Sequence, residues 1–453
     1  MRLLATSALL ICTSVIFLKP IQANTIPLCK DGRVNPAHGL AEKEDLAAAI
    51  PLTDSEKIGE NPAQIDPFQP MLRFASGKFR GERVNTDLMR SPVRLADSYY
   101  TALKVNPETH WLVANFVHND RHWIASIPRE AVRKVKIEKS TFFSHEFKRQ
   151  KQDSPLAHLQ AVFVLQKDAP LELVVDQIKL NGTQLNPNLQ LNAEGEKLLS
   201  NHKEAKPIKI TSLTVSFEAL FPHSWNGNFM DDGNVVKGNF ATAVRIGSTE
   251  QRRKENREVK EGSINQYFVD FEIHTPEGVK EYPNAENFFN NALEAHIRRA
   301  SQDGIGNAFR ENGQLHGAGK AYDLLCYSCT TWMNEMWMKF LPPESQATEA
   351  MIQEHLLSST LNKEARILSL FEEPKRFLEE KGEEEMLQFF TQKYGEKFAT
   401  TLLSASSLIL EASEENVKIP EEARYFVNQD FAMAMPSFIQ DVFFLNGYVD
   451  KDR

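Results

Sequence analysis

Cys329 is the residue in this chain best placed to act as a nucleophile. It precedes a run in which Trp332, Met333, Met336, Trp337 and Phe340 recur at the helical period, and Pro342-Pro343 ends the pattern. The spacing predicts a helix over 330–341 with the cysteine at or just before its first turn. A thiol there faces unpaired backbone N–H groups and the positive end of the helix dipole, and both favour the thiolate that attacks electrophiles. The nucleophile needs a base that takes its proton and later returns it to the leaving group, a task histidine suits near neutral pH. His223, in Phe221-Pro222-His223-Ser224-Trp225, follows a strong strand pattern and is the leading candidate. His274, just past the strand pattern Tyr267 to Ile273, is the second. The expected catalytic residues are therefore Cys329 and His223, with helix-start N–H groups facing the oxyanion. The plainer alternatives are that a histidine at a strand end is structural or solvated, and that the Met and Trp face is core packing.

Other clusters carry weaker chemistry. His110, His118 and His122 lie among Trp111 and Trp123, but a metal centre would want a further defined ligand. Two strand patterns around a turn at Asn119-Asp120 make them surface histidines of a hairpin. Asp231-Asp232-Gly233-Asn234 looks like part of a calcium loop but lacks the later bidentate glutamate, and reads as a hairpin turn. The glycines between Gly304 and Gly319 lack the strand-to-helix context of a phosphate loop. Neither a metal nor a cofactor is expected. The short basic group Arg252-Arg253-Lys254 reads as a solvated loop, not as a nucleic-acid site.

The N-terminal sequence leads to the expectation that these residues work outside the cytoplasm. Arg2, the apolar run Leu3 to Leu18, Lys19-Pro20 and Ala23 have the layout of a secretory signal peptide, with cleavage expected after Ala23. Its removal takes away two basic residues and lowers the net charge from −9 to −11. Export leaves Cys29, Cys326 and Cys329, an odd number in an oxidising compartment. A Cys29–Cys326 bridge would leave Cys329 as a free thiol and suit a hydrolase. A Cys326–Cys329 bridge would instead be a C-x-x-C redox pair. No later stretch has the length and apolarity of a membrane helix, so no stable transmembrane anchor is expected.

With 453 residues, 42% apolar and 25% charged, the chain has room for two or three domains with large cores. Residues 24–107 are proline-punctuated and polar, and read as an extended wrap with short helices at Leu40 to Ile50 and Arg94 to Leu103. Residues 108–205 carry strand patterns at Trp111 to Val117, Trp123 to Ile127, Val132 to Ile137, Leu159 to Leu165 and Leu171 to Leu180, which suggest a small antiparallel β domain. In 206–345 the pattern mixes. A strand from Ile208 to Phe217 breaks phase near Ser212, further strands cover Phe240 to Ile246 and Tyr267 to Ile273, and a helix carries Phe289, Leu293 and Ile297. Residues 346–453 read as mainly helical, over Met351 to Leu361, Ala365 to Glu380, Glu384 to Tyr394 and Phe398 to Leu410.

The order of a strand, a histidine-containing loop, more strands, a helix and then Tyr322-Asp323-Leu324-Leu325-x-x-x-Cys329-Thr330-Thr331-Trp332 resembles the Lnb N-terminal periplasmic domain family and, more broadly, circularly permuted papain-like proteins. The resemblance covers about residues 206–345. It implies a permuted papain-like α+β fold and acyl transfer, or hydrolysis of an amide or ester, on a cell-envelope component. The leading expectation is thus an exported, periplasmic or extracellular α+β cysteine hydrolase or acyltransferase. The competing expectations are a non-catalytic envelope binding or scaffold protein and a thiol-disulfide protein using Cys326 and Cys329.

Overall fold

The computed structural model describes residues 93–143, 157–180, 192–222, 240–257, 265–279, 285–303, 328–357, 371–394, 396–411 and 439–450, together with positions 73–74, 79, 82, 305–306, 308–309 and 322. The fold is mixed α and β around one mostly antiparallel sheet of eleven strands. The strands are β1 (Arg73–Phe74), β2 (Arg94–Leu95), β3 (His110–His118), β4 (Arg121–Pro128), β5 (Val132–Phe143), β6 (Ala157–Leu165) and β7 (Leu171–Asp176). They continue with β8 (Ile208–Ile210), β9 (Ser212–Leu220), β10 (Ala241–Ser248), β11 (Asn265–Ile273), β12 (Ile305–Gly306) and β13 (Ala308–Phe309); β1 and β13 pair with each other outside the eleven. The sheet runs in the order β11-β5-β6-β9-β10-β3-β4-β7-β8, with β12 beside β10 and β2 beside β3. Strands from residues 108–205 and from 206–345 therefore interleave in a single sheet.

Local chemistry accounts for most of these pairings. Asn119 and Asp120 both adopt positive φ, as a tight turn matched to strand twist requires, and they join β3 to β4 as a hairpin. The phase break expected near Ser212 is the gap between β8 and β9. β10 and β3 form the sheet's parallel contact, and there Gly247 lies against Val117 so closely that a Cβ would come within 2.8 Å of the Val117 carbonyl oxygen.

Alternation gives the sheet two unlike faces. Val135 and Ile137 of β5, Ala161 and Phe163 of β6 and Val215 and Phe217 of β9 present an apolar face. Against it pack α4 (Phe288–Asp303) and α5 (Cys329–Met338), once the shorter helices α1 (Tyr100–Leu103), α2 (Ala193–His202) and α3 (Thr249–Arg257) are counted in chain order. Trp332 stacks on Phe217 at 5.8 Å and Trp337 on Phe163 at 6.5 Å, and both indoles are fully buried. The Met and Trp face is core packing, and truncating either Trp to Ala would cost about 3–5 kcal/mol. The opposite face carries Glu138, Gln160, Ser216, Glu218 and Arg245, and α3 packs over β9 and β10 on that side. A second apolar cluster joins Tyr99, Leu103, Leu112, Ile124, Val175 and Leu199 beneath α1 and α2.

The described residues of 346–453 include α6 (Glu349–Leu357), α7 (Glu372–Lys381), α8 (Glu383–Tyr394), α9 (Glu396–Glu411) and α10 (Ile439–Leu445). The tail is tied to the core by Tyr448, whose hydroxyl donates to the Trp337 carbonyl at 2.5 Å. Among the described residues no helix is long and apolar enough to cross a membrane. The leader at 1–23, the 40–50 helix, Cys29, Cys326, the turn at 181–182 and the 231–234 run lie outside the described residues.

Candidate active site

Cys329 is the first residue of α5, as its sequence context predicts. Ser328 is the N-cap, in extended conformation, and its backbone N–H donates to Thr331 Oγ1 at 2.8 Å, which fixes the entry of the chain into the helix. The thiol is buried and 3.9 Å from Thr330 Oγ1. It sits at the end of the sheet where β6 begins and β9 finishes, because α5 lies along those two strands.

The imidazole that meets this thiol is that of His158, the second residue of β6. The β6–β9 register pairs Gln160 with Ser216, so one step of two residues outward brings His158 opposite Glu218. His158 Nε2 is 3.4 Å from Glu218 Oε1. The same carboxylate oxygen accepts from Ser216 Oγ at 2.7 Å and from Arg252 Nη2 at 2.9 Å. A nucleophile, a base and a carboxylate thus stand in the order thiol, imidazole, carboxylate, with the carboxylate held from behind.

The electrostatics favour charge separation. Burial opposes a charged His158, but the Glu218 charge and the hydrogen bond to Cys329 overcome it, and its pKa rises to about 9. Burial pushes the Cys329 thiol up, and the hydrogen bond and charge of His158, the Leu159 N–H and the Thr330 hydroxyl outweigh it, leaving the thiol below its ordinary value. Burial also raises Glu218, whereas Arg252 and His158 bring its carboxyl well below the usual range. The two shifts run in the same sense: each favours the charged form of its group, thiolate on Cys329 and imidazolium on His158.

Tyr322 completes the enclosure. It is buried, its N–H donates to the Phe240 carbonyl at 2.9 Å, and its ring stacks on Phe217 at 5.9 Å. Its hydroxyl is hydrogen-bonded both to the Cys329 side chain and to the Cys329 backbone, and burial together with the thiolate charge keeps it firmly protonated. A protonated phenol beside the nucleophile's own N–H can donate to an oxygen that gains negative charge there.

The other sequence candidates fall elsewhere. His223 lies outside the described residues; among the described residues the imidazole beside Cys329 is that of His158. His274 follows β11 on the sheet's edge strand, where its N–H donates to the Tyr448 carbonyl and its Nε2 lies 3.8 Å from Asp450. His118 and His122 are buried, not surface residues: tight packing of the β3–β4 hairpin encloses them, and His118 Nδ1 is 2.8 Å from Ser248 Oγ. Among the described residues no group of three or more His, Cys, Asp or Glu is gathered as metal ligands would be. The basic group Arg252-Arg253-Lys254 is not a solvated loop. It forms the middle of α3, and its three cations pair with Glu218, Glu138 and Asp120 respectively. Comparison with family models, with curated proteins and with solved structures finds no match in any of the three.

Proposed function

We propose that this chain is a cysteine-dependent hydrolase or acyltransferase acting on an amide or ester, with Cys329 as nucleophile, His158 as acid and base, and Glu218 orienting His158. The observation that carries the reading is the hydrogen-bonded Cys329–His158 pair at a helix start, backed by a buried, ionised carboxylate. The Cys329 thiolate attacks the substrate carbonyl carbon, forming a C–S bond and an oxyanion that faces the Cys329 N–H and the Tyr322 hydroxyl. The His158 imidazolium gives its proton to the leaving oxygen or nitrogen as that bond breaks, leaving a thioester. Water or another acceptor then gives a proton to His158, attacks the thioester carbon and releases the thiolate.

The leader pattern at 1–23 and the resemblance to the Lnb N-terminal periplasmic domain family and permuted papain-like proteins support an exported enzyme with a cell-envelope substrate, peptide or lipid. A thiol on the first residue of a helix packed along a sheet is the arrangement that resemblance implies. The test is release of p-nitrophenol from p-nitrophenyl acetate, and of acyl or amine products from purified envelope fractions, by the wild type and by Cys329→Ala. Loss of release in the variant is expected; equal release by both proteins would end the reading.

A further inference from the structure

The polar face of the sheet holds more charge than a triad needs. From α3, Arg252 spreads its guanidinium over three acceptors: Nη2 donates to Glu218 Oε1 at 2.9 Å, Nε to Gln160 Oε1 at 2.9 Å and Nη1 to Glu255 Oε2 at 3.5 Å. The side chain is only 8% exposed. Gln160 is the next residue on the His158 face of β6, and its amide donates to Glu138 Oε2 at 2.7 Å, while Arg253 holds the other Glu138 oxygen at 2.7 Å. Glu255 is in turn gripped by both Nη atoms of Arg245, at 2.7 and 2.5 Å, and by Gln251 at 2.9 Å. Signs therefore alternate from Cys329 through His158, Glu218, Arg252 and Glu255 to Arg245.

One atom makes this layer more than packing. Glu218 Oε1 faces His158, Ser216 and Arg252 together, so the donors that hold it also fix what His158 meets. A buried carboxylate without its cation would take up a proton, because desolvation penalises the charged form. A neutral Glu218 would no longer sustain a cationic His158, and the thiol would keep its proton.

We propose that Arg252 is a positioning residue of this site: from α3 it holds Glu218 ionised against His158 and so keeps Cys329 in the thiolate form. The assignment rests on the nucleophile reading above. The charged and titratable groups facing the pair are Glu218, Arg252, Arg245 and Tyr322, from β9, α3, β10 and the strand-like segment at 322.

The experiment is the rate of carboxamidomethylation at the Cys329 peptide by iodoacetamide across pH 4 to 10, for wild type, Arg252→Gln, Arg252→Lys and Gln160→Leu, with circular dichroism to confirm folding. Wild type should reach half its maximal rate well below the ~8.5 of an ordinary thiol. Arg252→Gln should raise that half-point by about one unit or more at an unchanged high-pH plateau, and Arg252→Lys should recover most of the shift. Should Arg252→Gln fail to fold, Gln160→Leu, which keeps the cation but removes its Nε acceptor, should raise the half-point by about half a unit. A half-point unchanged in whichever of these two variants folds overturns the assignment while leaving the nucleophile reading intact. A wild-type half-point at or above that of an ordinary thiol sinks the nucleophile reading itself.

Discussion

His158 and Cys329 are hydrogen-bonded to each other although they come from opposite halves of the chain, because β6 begins beside the first turn of α5. On the proposed reading that contact makes His158 the base. His158→Ala should lower p-nitrophenyl acetate turnover by roughly 10²- to 10⁴-fold, the usual contribution of a positioned general base. Its Cys329 alkylation profile should move up toward an unperturbed thiol. A collapse in His223→Ala with full rate in His158→Ala would show that the base has been misassigned.

Tyr322 makes a prediction that separates binding of the oxyanion from activation of the thiol. Alkylation by iodoacetamide forms no oxyanion, whereas acyl transfer does. Tyr322→Phe keeps the ring that stacks on Phe217 and removes only the donor. Turnover of the ester should fall by about 10²-fold with the plateau alkylation rate within about twofold of wild type. Equal losses in both assays would mean that the hydroxyl serves the thiol and not the oxyanion.

The strands, the cysteine helix and the helical tail were legible because apolar periodicity decides them. The proposed partners of Cys329, His158 and Glu218, were not, for a related reason. The strand read over β6 begins at Leu159 and that over β9 ends at Phe217, so His158 and Glu218 fall just outside both, although Ala219 and Leu220 carry β9 past Glu218. Both sit on the polar face of their strands, His158 near the start of β6 and Glu218 near the end of β9, and hydrophobic alternation does not say which polar residues will meet a distant cysteine. His158 also lies outside 206–345, the stretch that carries the cysteine, and reaches it because strands of both stretches share one sheet. α3 was missed because Thr249–Arg257 is polar all round. The available signal was its spacing of Gln251 and Glu255 at i, i+4 and of Arg252 and Glu255 at i, i+3. A polar helix can bury one face when, as here, the sheet face beneath it is polar and the charges on that face, Arg252 and Glu255, meet opposite charges.

Gly247 tests whether the parallel β3–β10 contact matters to the whole sheet. An added methyl would press on the Val117 carbonyl at 2.8 Å, and backbone on a central strand cannot turn aside as a flexible side chain would. Gly247→Ala should therefore cost about 1–3 kcal/mol in urea unfolding. A midpoint equal to wild type would mean that the two strands part without penalty.

His296 sets the behaviour in acid. It projects from α4 into a box of Phe163, Trp332 and Trp337, with ring centroids at 5.7, 4.8 and 5.8 Å, and among the described residues neither ring nitrogen has a hydrogen-bond partner. Burial, with a smaller contribution from the Lys339 charge, drives its pKa down to about 3 from an ordinary 6.5. The unfolded chain thus binds a proton between these values that the folded chain refuses. The stability this neutral ring contributes is present above pH 6.5 and is lost as pH falls toward 3, by an amount on the order of 3–5 kcal/mol. Other buried groups also titrate in acid, so the informative quantity is the difference between wild type and His296→Leu. Urea unfolding followed by Trp fluorescence at pH 7, 5.5 and 4.5 should show the variant gaining steadily on the wild type as pH falls. A difference that stays constant across that range would mean that His296 finds a way to carry its charge in the folded state.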